Sequence, residues 1–134
     1  MSKLETPFTR RYWREVGGTL IEEFPAVRPG PGRGQRLIDA VIIPDWPFEI
    51  KTAREVDISG KDIIVVQTKV GRLGMYLMGQ AVFSAKLMER FNPSSIHSVA
   101  ICTRGDEVLE PLLKEMGVEL VVYSIDESGN TLYL

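Results

Sequence analysis

Leu37-Ile38-Asp39-Ala40-Val41-Ile42-Ile43 and Ile63-Ile64-Val65-Val66-Gln67-Thr68-Lys69 are the two stretches that decide how this chain folds. Each is an apolar, largely β-branched run of strand length. Each also carries polar groups where a buried sheet should have none. A carboxylate or ammonium taken out of water without a partner costs several kcal/mol, so Asp39, Gln67 and Lys69 are expected to hold each other, a metal or a ligand. If the runs form an antiparallel pair closed between about Pro44 and Asp62, facing residue numbers sum to 106 and Asp39 lies opposite Gln67. Facing residues share a side of the sheet with Cβ atoms roughly 5 Å apart, and the period of two brings Lys69 to that side as well.

An aspartate on the second strand followed by (Asp/Glu/Gln)-x-Lys at the end of the third resembles the PD-(D/E)xK nuclease superfamily, whose fold is called restriction-endonuclease-like. The resemblance covers roughly residues 7–123. The literal Pro44-Asp45 pair is not the match, because the same pairing puts Asp45 opposite Lys61, about 20 Å from the Gln67 level. The motif aspartate is therefore Asp39, and Gln67 stands where a carboxylate is commoner. The resemblance implies an Mg²⁺ or Mn²⁺ held by Asp39, the Gln67 carbonyl and the backbone C=O of Thr68, with Lys69 orienting the attacking water or stabilising the transition state. Glu15 on the first helix is the expected second carboxylate. Gln80 is similar to a motif glutamine on the helix after the lysine, where it helps hold the site or the nucleic acid. The implied activity is hydrolysis of phosphodiester bonds in DNA. Its rival keeps the fold and drops the chemistry: a module that binds nucleic acid or a protein partner. The bland reading of Asp39 with Lys69 is a structural ion pair.

The rest of the chain supplies matching elements. Thr6-Pro7 and Gly17-Gly18 bracket a helix over 7–16 with Phe8, Tyr12 and Val16 as its buried stripe and Glu15 at its border. A first strand spans 19–27. Arg28-Pro29-Gly30-Pro31-Gly32-Arg33-Gly34-Gln35-Arg36 is a loop whose Arg28, Arg33 and Arg36, together with Arg72, are candidate phosphate contacts. Residues 45–61 read as an extended excursion between the second and third strands. A helix over 75–91 is apolar on most sides and is expected to be mostly buried, with Tyr76, Gln80 and Ser84 as its one polar line. A strand at 96–103, a helix from Asp106 to Met116, a strand at 118–123 and a hairpin at 128–134 complete the order. The fold expected is one α/β domain over 1–134: a mixed central sheet flanked by helices, a restriction-endonuclease-like core (αβββαβ) with an added C-terminal αβ and hairpin.

Composition sets the limits. The chain is 44% hydrophobic and 25% charged, as in ordinary soluble globular proteins, and has a net charge of −2. Residues 1–36 hold seven Lys/Arg against four Glu, whereas residues 104–134 hold two against seven acids. One end is thus suited to phosphates. Cys102 is alone and reads as core, His97 is the only histidine, and the glycine-rich loop lacks the Lys-Ser/Thr of a phosphate-binding Walker loop. The absence of a signal pattern or a long apolar segment makes the cytoplasm the expected location. A domain of this size would cut two strands most simply as a homodimer.

Overall fold

A computed structural model describes residues 1–125 of the chain. Six strands form one mixed sheet. Helix α1 (Thr6–Val16) leads into β1 (Thr19–Val27), which pairs antiparallel with β2 (Arg36–Ile43). The excursion contains a short edge strand, β3 (Glu49–Lys51), which pairs parallel with β1. β4 (Asp62–Thr68) then pairs antiparallel with β2. Helices α2 (Met75–Met88) and α3 (Leu109–Glu115) connect β4, β5 (Ser95–Cys102) and β6 (Val118–Val122), which run parallel. This is the expected α/β architecture, a meander followed by crossovers, with one edge strand more than the pattern indicated. The hairpin expected at 128–134 lies outside the described residues.

Two apolar layers sandwich the sheet. Tyr12 and Trp13 of α1 cover Leu20, Ala40, Ile42, Ile64, Val66, Val99 and Ile101. The opposite layer contains Ile21, Phe24, Ile38, Val41, Ile43, Ile63, Val65 and Met88, continued by Leu77, Ala81 and Leu113 from α2 and α3. Each fully buried side chain of this kind contributes about 1.5–3 kcal/mol, so the two layers supply most of the driving force. The buried stripe of α1 is Thr9, Tyr12 and Trp13, one position away from the expected one, and Val16 is exposed. The reason is tertiary: Trp13 stacks on Phe48 of the excursion at 4.1 Å between ring centroids and donates its indole N–H to the Gly18 carbonyl at 2.7 Å.

Helix α2 departs more from expectation. It buries Leu77, Ala81, Ser84 and Met88, but Met75 (77% exposed), Tyr76 (71%) and Phe83 (69%) face outward. An almost uniformly apolar helix therefore covers the sheet with one side only. No helix among the described residues is long and apolar enough to cross a membrane.

The turn between α1 and β1 depends on Gly18, whose φ is +85° and whose missing Cβ would collide with the Ile43 carbonyl and lie 2.6 Å from Pro44 Cα. Gly60 has a similar φ of +75° but open space around it. Gly18→Ala should therefore destabilise the domain by about 2–4 kcal/mol, and Gly60→Ala by about 1 kcal/mol. Urea unfolding of both variants checks this; equal costs would show that backbone strain, and not the contact with β2, sets the requirement.

Candidate functional site

The observed pairs Ala40↔Val66, Val41↔Val65 and Ile42↔Ile64 have the expected sum, so Asp39 stands at the level of Gln67. The two side chains nevertheless leave the sheet on different sides. On β1, Ile21 and Phe24 belong to the same apolar layer although three positions separate them, and on β2 the same holds for Ile38 and Val41. Both strands thus reverse face once, between Glu22↔Ala40 and Phe24↔Ile38, where the Glu23/Asp39 pair is missing from the ladder. Glu23 has a φ of 51°, the left-handed conformation that makes such a reversal possible. β4 has no reversal. Asp39 consequently turns toward the start of α1, while Gln67 turns toward α2.

The Asp39 side chain is 15% exposed. One oxygen accepts the Thr68 N–H at 2.9 Å, capping β4 where β2 parts from it, and the other is 3.8 Å from the Met1 ammonium. That ammonium is itself 2.6 Å from Glu23. Burial pushes the Asp39 carboxyl above its ordinary range; the Thr68 N–H and the ammonium oppose the shift, and the charges of Glu23 and Glu5 add to it. Thr68 also packs its hydroxyl 2.7 Å from that of Thr9 on α1.

Gln67 is 3% exposed and hydrogen-bonds through its amide to the Ser84 hydroxyl on α2 at 2.6 Å. Lys69 follows it onto the same side, its ammonium 5.8 Å above the Tyr76 ring. Gln67, Gln80 and Arg36 line one groove of about 490 Å³, together with Leu37, Met75, Tyr76 and Phe83. Arg28 and Arg33 line another cavity, of about 390 Å³, with Phe24, Asp57 and Arg90. Arg72 pairs across a bridge with Arg104 and lines a separate depression.

Glu15 lies at the far end of α1. Its carboxylate accepts the Tyr123 hydroxyl at 2.7 Å and pairs with Arg11 at 3.3 Å. At 1.5 Å per residue it is about 15 Å along the helix from Glu5, the acid whose charge reaches Asp39. The proposed ligand set of Asp39, Gln67, Thr68 and Glu15 therefore does not converge. Asp39 faces α1, Gln67 is tied to α2, and Glu15 is occupied at the opposite end, so these side chains as placed do not fit a jointly bound Mg²⁺ or Mn²⁺. Among the described residues, no three Asp, Glu, His or Cys side chains are grouped to hold a metal.

Of the expected set Asp39, Gln67, Lys69, Glu15 and Gln80, the structure keeps Gln67 and Gln80 on one groove and adds Arg36 to it, with Lys69 on the same side. Ser84 was visible as the next member of the Tyr76-Gln80 line. Glu5 and Glu23 carried no local signal. Phe83 has no signal of its own in a helix that is apolar on most sides.

The raised Asp39 carboxyl carries a definite sign. A folded-state pKa above the unfolded one means that the folded chain binds more protons in that window, so stability falls as pH rises through it. The penalty is absent below the ordinary aspartate range and complete above the folded value. Asp39→Asn, which keeps an oxygen for Thr68 N–H, should raise the melting temperature at pH 7 by roughly 2–5 °C. The gain should vanish near pH 3, and a shift independent of pH in scanning calorimetry would refute the assignment.

No family model, curated protein or solved structure matches this chain, so the reading of the site rests on its residues and their geometry.

Proposed function

We propose that this chain is a nucleic-acid-binding domain of the restriction-endonuclease-like type, with DNA as its ligand and binding as its principal activity. One observation carries the reading. The α2-side groove and the Arg28/Arg33 cavity are lined by four arginines, Arg28, Arg33, Arg36 and Arg90, in a chain whose net charge is −2. Asp57 is the one carboxylate lining either cavity. Cations gathered on one face of an otherwise acidic protein provide the electrostatic footprint for phosphates, with Arg28, Arg33, Arg36, Lys69 and Arg72 available to them. Neutral Gln67 leaves that field intact where a carboxylate would cancel part of it.

A second reading, hydrolysis of DNA with Mg²⁺ or Mn²⁺, is supported by Asp39. A carboxylate kept largely out of water beside the end of β4, where it accepts the Thr68 N–H, is costly, and costly ionisable groups concentrate at functional sites. Cleavage requires Asp39 and Gln67 to be brought to one point by rearrangement of the β2–β4 end, so it is held as the second reading. A homodimer would serve either activity.

Fluorescence anisotropy with labelled DNA across a salt series tests the first reading. The logarithm of the association constant should fall linearly with the logarithm of salt concentration, and Arg33→Ala and Arg36→Ala should each reduce the slope by about one. Failure to bind at low salt would reject it. In parallel, Mg²⁺- or Mn²⁺-dependent cutting that Asp39→Ala and Lys69→Ala abolish would establish the second reading.

A further inference from the structure

We infer that the groove between β2 and α2 takes an unpaired nucleobase, so that the DNA bound by this domain is single-stranded at that point. The inference rests on the proposed nucleic-acid-binding function and specifies which form of the ligand fits. Tyr76 and Phe83 stand open on the outer side of α2, with Met75 beside them and Leu37 (42% exposed) on the facing strand. Gly79, between Tyr76 and Phe83 along the helix, has nothing within 4 Å of where a Cβ would be, so the groove floor is open. The groove's volume of about 490 Å³ falls within the ~300–1,000 Å³ typical of sites that enclose a small planar ligand.

Two carboxamides give this apolar slot a polar floor. Gln67 is 97% buried by its 3% exposure; Ser84 holds one end of its amide, and the other end has no partner among the described residues. A carboxamide fixed at one end and open at the other presents a hydrogen-bonding edge in one orientation. Gln80 lines the same groove, and its amide has no hydrogen-bond partner among the described residues. Planar bases stack on aromatic rings and pair their edges with such amides when they are out of a duplex. Lys69 above Tyr76 and Arg36 at the groove supply charges for the flanking phosphates. A purely apolar partner would leave the open Gln67 edge unpaired, and an acidic surface without bases would leave the rings uncovered.

The experiment measures anisotropy for a labelled oligonucleotide of roughly a dozen nucleotides, its blunt duplex, and the same strand carrying abasic sites throughout. The single strand should bind the wild-type protein at least about tenfold more tightly than the duplex or the abasic strand. Tyr76→Ala and Phe83→Ala should each weaken single-strand binding by roughly tenfold and leave duplex binding unchanged. Both side chains are exposed, so an unaltered melting temperature should accompany the loss. Equal binding of strand, duplex and abasic strand, unmoved by the two variants, would overturn the base-binding groove while leaving nucleic-acid binding standing. No binding of any of the three would overturn the underlying function as well. Sedimentation showing a dimer that Tyr76→Ala converts to monomer would overturn the inference by assigning the groove to a second copy of the chain.

Discussion

The arrangement of this domain depends on one backbone event, the reversal of face that β1 and β2 make together at Glu23 and Asp39. A single strand that reversed alone would throw its apolar set to the wrong side and lose register with its neighbour. Here both strands turn at the same level, and the pairing continues on either side as Glu22↔Ala40 and Phe24↔Ile38. Glu23 takes a left-handed conformation that costs a non-glycine residue about 1 kcal/mol or more. What offsets it is the burial of Phe24, Ala26 and Ile38 in the α2-side layer, each nearly fully shielded. The cost of the turn is smaller than the gain from any two of these side chains.

The reversal also sorts charge. Before it, Glu22 faces α1 and pairs with Arg10 at 2.7 Å; at it, Glu23 and Asp39 face the Met1 ammonium. The acids of this end of the sheet are thereby collected on the α1 side. Lys69 and Arg36, with Gln67 and Gln80, are left on the α2 side. A sheet with its side-chain layers separates the two groups by a distance comparable to the Debye length of about 8 Å at physiological salt. An anion approaching the α2 side therefore meets cations with the carboxylates screened behind the core. An overall charge of −2 says nothing about such a face.

Much of this was legible in the chain itself. The apolar runs at 37–43 and 63–66 place both strands, and closing the pair between Pro44 and Asp62 places their register. The crossovers followed from strand-helix-strand order. The face of Asp39 was not legible, since Glu22-Glu23 is unremarkable within a strand and no glycine marks the turn. The edge strand Glu49–Lys51 is three residues long, too short for any periodicity, and its partner β1 is remote in sequence. Helix α2 misled for a different reason. Its composition reports how much apolar surface exists, whereas the width of sheet beneath it decides how much is covered, and the sheet accounts for Leu77, Ala81 and Met88 but not for Met75, Tyr76 or Phe83.

The glutamine at position 67 takes on a different meaning once its surroundings are known. It sits at 3% exposure with one hydroxyl, that of Ser84, as its side-chain partner. A carboxylate there would be a buried charge whose nearest named cation, Lys69, is exposed and directed over Tyr76. Desolvating it would cost several kcal/mol against a single hydroxyl donor, so it would either take up a proton or pull the strand end open. The amide avoids both outcomes. It can donate to Ser84 while keeping an acceptor toward the groove, and it adds no negative charge to the side that carries Lys69 and Arg36. In this fold a glutamine at position 67 is therefore what the largely buried space between β4 and α2 permits.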